Sequence, residues 1–298
     1  MSGLLMRTKL KRLPGTPDPM HRWQGEQGLS IAGDSWGPVD GPLVILLHGG
    51  GQTRHAWKGT GALLGKMGCH AVALDARGHG DSDWSPGSDY SQDALVRDLQ
   101  AVLGHLGNRR AVLIGASMGG ITSLIAAGEG RVDAAALILV DVVPRCEEQG
   151  VARVKAFMRQ ASGFSSLDEA SDAISRYQPQ RTRPASSKGL AKNLRLASDG
   201  RYYWHWDPRY LDATNDSVER YRRLAASARQ LRLPTLLVRG AQSDVVSQAG
   251  VDDFLSLCPH ARTLEVANAK HMVVGDRNDV FAHNVWSFLC EHLPASRA

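Results

Sequence analysis

Six strand-sized runs, mostly apolar and mostly ending in Gly, Asp or Pro, set the strongest limit on how this chain can fold. They lie in "GPLVILLHGGG" (41–51), "CHAVALDARGHG" (69–80), "RRAVLIGASMGG" (109–120), "AAALILVDVVP" (134–144), "LPTLLVRGAQSD" (233–244) and "ARTLEVANAKH" (261–271). Strands with one wet face alternate apolar and polar residues, and these do not. They must be covered on both faces, which is the condition of a parallel sheet between helices. Helix-compatible stretches fall between them, at about 53–67, 91–106, 119–129, 247–258 and 278–292. "GLSIAGDSWGP" (28–38) reads as an opening antiparallel hairpin strand. The layout predicts a doubly wound, mostly parallel α/β fold.

The rhythm breaks between Arg145 and Arg232. That segment is polar, rich in arginine and tyrosine, and offers only helical patterns such as "VARVKAFMRQ" and "DSVERYRRLAASARQL". It reads as a helical lid inserted after the sixth strand. Ligands of open α/β sheets bind outside the carboxyl ends of the strands, so an insertion there would roof the site. The predicted division is a flexible basic arm (1–22), a core (23–144 and 233–298) and a helical cap (145–232).

Composition narrows the function classes. With 43% hydrophobic and 22% charged residues among 298, the chain is an ordinary globular sequence with a sizeable core. The longest apolar region, 111–127, is interrupted by Gly115, Gly119 and Gly120, which argues against a membrane span. The start, "MSGLLMRTKLKRLPGTPDPM", lacks the apolar core of a secretory signal, and a cytoplasmic protein is expected. Cys69, Cys146, Cys258 and Cys290 are scattered and form no C-x-x-C pair, which fits packed thiols in a reducing compartment. The net charge of +5 is concentrated in the arm and in 145–232, over an acidic remainder. No dense basic stripe with interleaved aromatics marks a nucleic-acid surface. The bland reading of the excess is a solvated arginine-rich helical face; the sharper one is attraction of an anionic substrate. Neither nucleic acid nor membrane is expected as a partner, and the chain is expected as a monomer or homodimer.

Four strand ends carry the residues that acyl transfer needs: a nucleophile, a base, an acid and oxyanion donors. In "GASMGG" (115–120), Ser117 matches G-x-S-x-G between an apolar strand and a helix-compatible run. That pattern places a serine on a sharp turn with free helix N–H groups behind it. "LLHGGGQT" (46–53) ends an earlier strand, and the N–H of Gly50 paired with that of Met118 makes a candidate oxyanion hole. Asp244 lies four residues past a strand ending near Gly240, and His271 follows the last strand. Asp141 also ends a strand and is the second candidate for the acid. A lone serine among glycines would be packing; four such features at successive strand ends point to a Ser117–His271–Asp244 triad.

With these motifs the chain resembles the α/β-hydrolase superfamily over roughly residues 28 to 292. The resemblance rests on "HGGG" (48–51), "DARGHGDS" (75–82), "GASMGG" (115–120), "VRGAQSDVV" (238–246) and "KHMVVGDRNDVF" (270–281). It implies an acyl-serine route with no metal and no cofactor, and a scaffold role for Arg77, His79 and Asp81. Relatives that open epoxides or remove halide carry Asp where Ser117 stands. Carbon–carbon bond hydrolases continue "HGGG" with Pro-Gly and place Trp after the histidine, where this chain has Gln52-Thr53 and Met272. The Ser-Met-Gly-Gly turn is similar to that of enol-lactonases and cofactor-free haloperoxidases. Hydrolysis of a small carboxylic ester or lactone is therefore expected, with perhydrolysis, carbon–carbon hydrolysis and a non-catalytic ligand receptor as alternatives. Trp57, Tyr203, Trp204, His205 and Trp206 are the candidate pocket residues.

Overall fold

The apolar runs form the strands that their lack of alternation requires. The computed structural model describes residues 10–159, 163–179, 186–212, 216–267, 269–271 and 278–292. Residues 1–9 of the expected arm, 272–277 of the last motif and 293–298 of the expected core lie outside them. The main sheet is built from β2 (His21–Gln24), β3 (Ser30–Trp36), β4 (Leu43–Leu47), β5 (His70–Leu74), β6 (Ala111–Ala116), β7 (Ala134–Val140), β10 (Thr235–Gly240) and β11 (Arg262–Val266). Its strand order is β11-β10-β7-β6-β4-β5-β3-β2, with β2 and β3 antiparallel to their neighbours and the rest parallel.

Both faces of the sheet's central strands are dry, and β4 shows why its sequence does not alternate. Leu43, Ile45 and Leu47 join one buried cluster while Val44 and Leu46 join another. Helices α2 (Gln92–His105), α3 (Met118–Gly128) and α7 (Gln248–Leu257) cover the first face. Helix α1 (Lys58–Lys66) and helix α8 (Asn278–His292) cover the second. The side chains of Ser91 and Ser247 accept the free N–H groups of Ala94 and Gly250, which starts α2 and α7 where the sequence places them.

Two expectations need correction. The arm is not free throughout its described part: β1 (Lys11–Arg12) pairs with β8 (Leu194–Leu196), which pairs with β9 (Tyr202–Trp204), and β2 is an edge strand of the main sheet. Two- and three-residue strands are too short for alternation to reveal, so 145–232 reads as purely helical. The segment also divides. Helices α4 (Glu148–Arg159) and α5 (Leu167–Tyr177) and the β1-β8-β9 sheet share a separate apolar cluster that includes Leu13, Met158, Phe164, Leu194 and Trp204. Helix α6 (Ser217–Gln230) instead lays Leu224, Ala225 and Ala228 into the main core. Among the described residues no helix is long and apolar enough to cross a membrane.

A buried ion network ties these parts together. Arg54, in the 3-10 turn Arg54–Trp57, reaches Asp75 at 2.6 Å, Asp81 at 2.9 Å and Asp34 at 3.0 Å. Asp81 also receives Arg195 from β8 at 3.0 Å and Arg12 from β1 at 3.1 Å. Removing one member of a buried charge cluster leaves its partners uncompensated, at a cost of about 3–5 kcal/mol. Arg54→Met is expected to lower the urea unfolding free energy by that amount. An unfolding curve matching that of the parent chain would show that the network is dispensable.

Candidate active site

The turn at Ser117 is strained and well supported. Ser117 has φ 46° and ψ −111°, a region that non-glycine residues rarely enter and that costs about 1–3 kcal/mol. Its N–H donates to Val140 O at 3.1 Å, and Ile121 N–H donates to Ser117 O at 2.9 Å. Gly119 N–H donates to His48 O at 3.1 Å. The glycines allow α3 to begin against the end of β4. A Cβ at Gly119 would stand 2.4 Å from Leu47 O, and one at Gly115 would stand 2.3 Å from Gly119 O. Packing and projection of the serine are thus one requirement, since the close approach of helix to strand leaves the chain no gentler turn.

His271 lies beyond β11 and faces the same cavity as Ser117. Its Nδ1 is 2.8 Å from Asp141 Oδ2, not from Asp244. The Asp244 assignment is therefore corrected. Asp141 directly follows β7, is fully buried and has φ 50°. Its Oδ1 accepts Gly240 N–H at 2.9 Å, and its Oδ2 accepts the Ser243 hydroxyl at 2.5 Å as well as the His271 ring. The loop after β10 thus meets Asp141 through Ser243. One residue on, it turns outward, and Asp244 pairs with Arg153 of α4 at 2.6 Å on an exposed surface. β7 and β10 are adjacent, so two aspartates one strand apart compete for the same histidine, and sequence spacing cannot separate them.

Gly50 and Met118 both line the cavity, and among the described residues neither N–H has an acceptor. Their neighbours are occupied: Gly49 N–H donates to Gln52 Oε1 at 2.9 Å, and Gln52 N–H donates back to Gly49 O at 3.0 Å. Two buried histidines pin this turn. His48 accepts Ala76 N–H on Nε2 at 3.0 Å and donates from Nδ1 to Gly49 O at 2.8 Å. His205 accepts Gly80 N–H on Nδ1 at 2.7 Å and donates from Nε2 to Gly51 O at 3.3 Å. A ring that donates on one nitrogen and accepts on the other must be neutral. Burial keeps it so, lowering His48 to about 4, and it sets His205 well below the usual range. His79, packed between these two rings, is lowered to about 3, first by burial and then by His48.

The pocket residues divide. Trp204 and Trp206, stacked with centroids 5.1 Å apart, line the cavity. Trp57 is fully buried in the core beneath the sheet, so it does not line the cavity. His205 is spent on the backbone turn, and the Tyr203 hydroxyl donates to Asp199 at 2.8 Å outside the cavity. In β9 successive side chains point to opposite faces, so Tyr203 and Trp204 could not both face inward. Sequence reasoning missed Tyr210, whose hydroxyl lies 3.1 Å from where a Cβ on Gly50 would be and is held protonated by burial, at about 12. No motif marks it.

The neutral histidines make stability depend on pH with a definite sign. Below pH 6.5 the unfolded chain protonates histidines that the folded chain keeps neutral until about 4 for His48 and His55. The unfolded state therefore binds more protons in that window, and acidification across it favours unfolding. The urea midpoint is expected to begin falling near pH 6.5, above the carboxylate range. A midpoint flat down to pH 5 would contradict the buried neutral rings.

A family model described as alpha/beta hydrolase fold matches residues 42–277. An esterase of Mycobacterium tuberculosis is 27% identical over 273 residues, covering 88% of this chain and 87% of its own. The crystal structure of that esterase superposes with a TM-score of 0.72 over 92% of each chain. An sn-1-specific diacylglycerol lipase of Mus musculus is 28% identical over 255 residues, covering 83% of this chain and 81% of its own. The fold also matches E-2-(acetamidomethylene)succinate hydrolase at a TM-score of 0.79 and 20% identity, covering 91% of this chain and 98% of that one.

Proposed function

This chain belongs to the alpha/beta hydrolase family, and on that premise we propose that it hydrolyses a small carboxylic ester or lactone through an acyl-serine intermediate. The observation that carries the reading is a strained serine sharing one cavity with a histidine whose far nitrogen is bonded to a buried aspartate. The names of the relatives, an esterase and a diacylglycerol lipase, support ester chemistry without identifying a substrate.

In this mechanism His271 donates Nδ1–H to Asp141, which leaves the Nε2 lone pair to take the Ser117 proton. Ser117 Oγ attacks the carbonyl carbon, and the carbonyl oxygen becomes an oxyanion that accepts the N–H groups of Gly50 and Met118. Collapse expels the alcohol, which leaves with the proton from His271, and Ser117 is acylated. His271 then takes a proton from water, the hydroxide attacks the acyl carbon, and the acid departs as Ser117 regains its proton. Asp141, buried and held in place by two other donors, orients the ring and stabilises the imidazolium.

A fluorophosphonate probe is expected to add one label at Ser117, and Ser117→Ala to abolish both labelling and hydrolysis of short 4-nitrophenyl esters. An unchanged intact mass after exposure would sink the nucleophile assignment, and ligand binding without turnover would favour a receptor. Asp141→Asn favours the wrong histidine tautomer and is expected to lower kcat by about 10⁴-fold. Asp244→Asn breaks only an exposed ion pair, worth about 0–1 kcal/mol, and is expected to leave kcat near that of the parent chain. The reverse pattern in steady-state kinetics would restore Asp244 as the acid.

A further inference from the structure

We propose that the cavity beside Ser117 selects an ester or lactone carrying a carboxylate remote from the scissile carbonyl, bound by Lys155, Lys192 and Arg220. The proposal rests on the serine-hydrolase reading for its chemistry, but its anion site stands on separate observations. The cavity has a volume of about 580 Å³, and among the described residues its wall holds these three cationic side chains and no aspartate or glutamate. The three come from different elements: Lys155 from α4, Lys192 from the 3-10 turn Ser187–Asn193, and Arg220 from α6.

What distinguishes them is that, among the described residues, none has a carboxylate partner. Elsewhere the chain pairs its partly buried arginines: Arg77 with Asp98, Arg195 with Asp81, Arg209 with Asp207 and Arg223 with Asp93. Leaving a half-buried cation unpaired costs stability, and the cost is sensible where a ligand supplies the counter-charge. Lys192 shows that cost, since burial first and Lys58 second lower its ammonium from the ordinary range. His55 also faces the cavity but is neutral at pH 7, so the positive field belongs to the two lysines and the arginine.

Placement fits a bifunctional substrate. Lys192 precedes Asn193, whose side-chain oxygen accepts from Thr53 Oγ1 at 3.3 Å, next to the turn that offers the Gly50 N–H. Arg220 acts electrostatically on Cys146 and Tyr210. The wall also carries Phe157, Met158, Trp204 and Trp206, apolar surface that can cover a short carbon chain. Cations dispersed over three elements suit a carboxylate on a flexible tether better than a phosphate, which is more often cradled by clustered backbone N–H groups.

The test compares mono-4-nitrophenyl adipate with 4-nitrophenyl hexanoate, which differ by one terminal carboxylate. The anionic ester is expected to have a kcat/KM at least ~10-fold higher at low ionic strength, the scale of one charge-assisted hydrogen bond, and salt should shrink the gap. Lys192→Met should lower that preference by ~10-fold, chiefly through KM. Arg153→Met, a cation outside the cavity, should retain it. Equal kcat/KM for the two esters, or a preference that survives Lys192→Met and Arg220→Met together, would overturn the proposal. If neither ester is turned over and no fluorophosphonate label appears, the hydrolase reading fails instead. Calorimetry of Ser117→Ala then still decides the anion site. Tighter binding of monomethyl adipate than of methyl hexanoate supports it, and equal binding refutes it.

Discussion

The guanidinium of Arg54, wholly buried, is held between Asp75 and Asp81 and beside Asp34. Each aspartate belongs to a different part of the molecule: Asp34 to β3, Asp75 to the end of β5, and Asp81 to the loop that follows. Arg195 and Arg12 bring the small sheet onto the same Asp81 carboxylate. Three arginines thus meet three aspartates, so each charge in the cluster faces an opposite one. Arg54 also begins the turn that follows Gly50–Thr53, and its own N–H donates to Asp75 at 2.7 Å. The position of the proposed oxyanion donors, the strand ends and the small sheet all answer to this one cluster.

A second constraint is the neutrality of the histidines beneath that turn. Hydrogen bonds fix the tautomers of His48 and His205 in opposite senses, and the rings brace Gly49 and Gly51 from below. Gly50, between them, lines the cavity. A flexible glycine turn can serve as a preorganised donor only if its neighbours are immobilised, because an oxyanion hole works by paying its ordering cost in advance. The strain at Ser117 belongs to the same arrangement, held by contacts to Val140 and His48 rather than by its own preferences.

Much of this was legible in the chain. The six apolar runs became six parallel strands, and Gly115 and Gly119 with Ser117 between them formed the turn that their spacing implies. His271 fell at the end of the last strand and reached the cavity of Ser117. Three things were not legible. The acid was placed on Asp244 when the histidine bonds to Asp141, because both stand at the ends of neighbouring strands and a few ångströms of loop geometry decide between them. The segment 145–232 reads as purely helical because strands of two or three residues leave no period to detect. The pocket aromatics were half misplaced, because a cluster such as "RYYWHWDPRY" says that rings gather but not which face of a short strand each takes.

Local patterning by itself determined the parallel sheet and the serine turn, since these depend on hydrophobic period and on where a Cβ is forbidden, both of which are written residue by residue. Tertiary structure alone decided which aspartate meets His271, which N–H groups stay unpaired, and which cations line the cavity without a counter-charge. Those are properties of side chains brought together from distant segments, and a hydrogen bond or a missing partner at that range has no signature in the order of the residues.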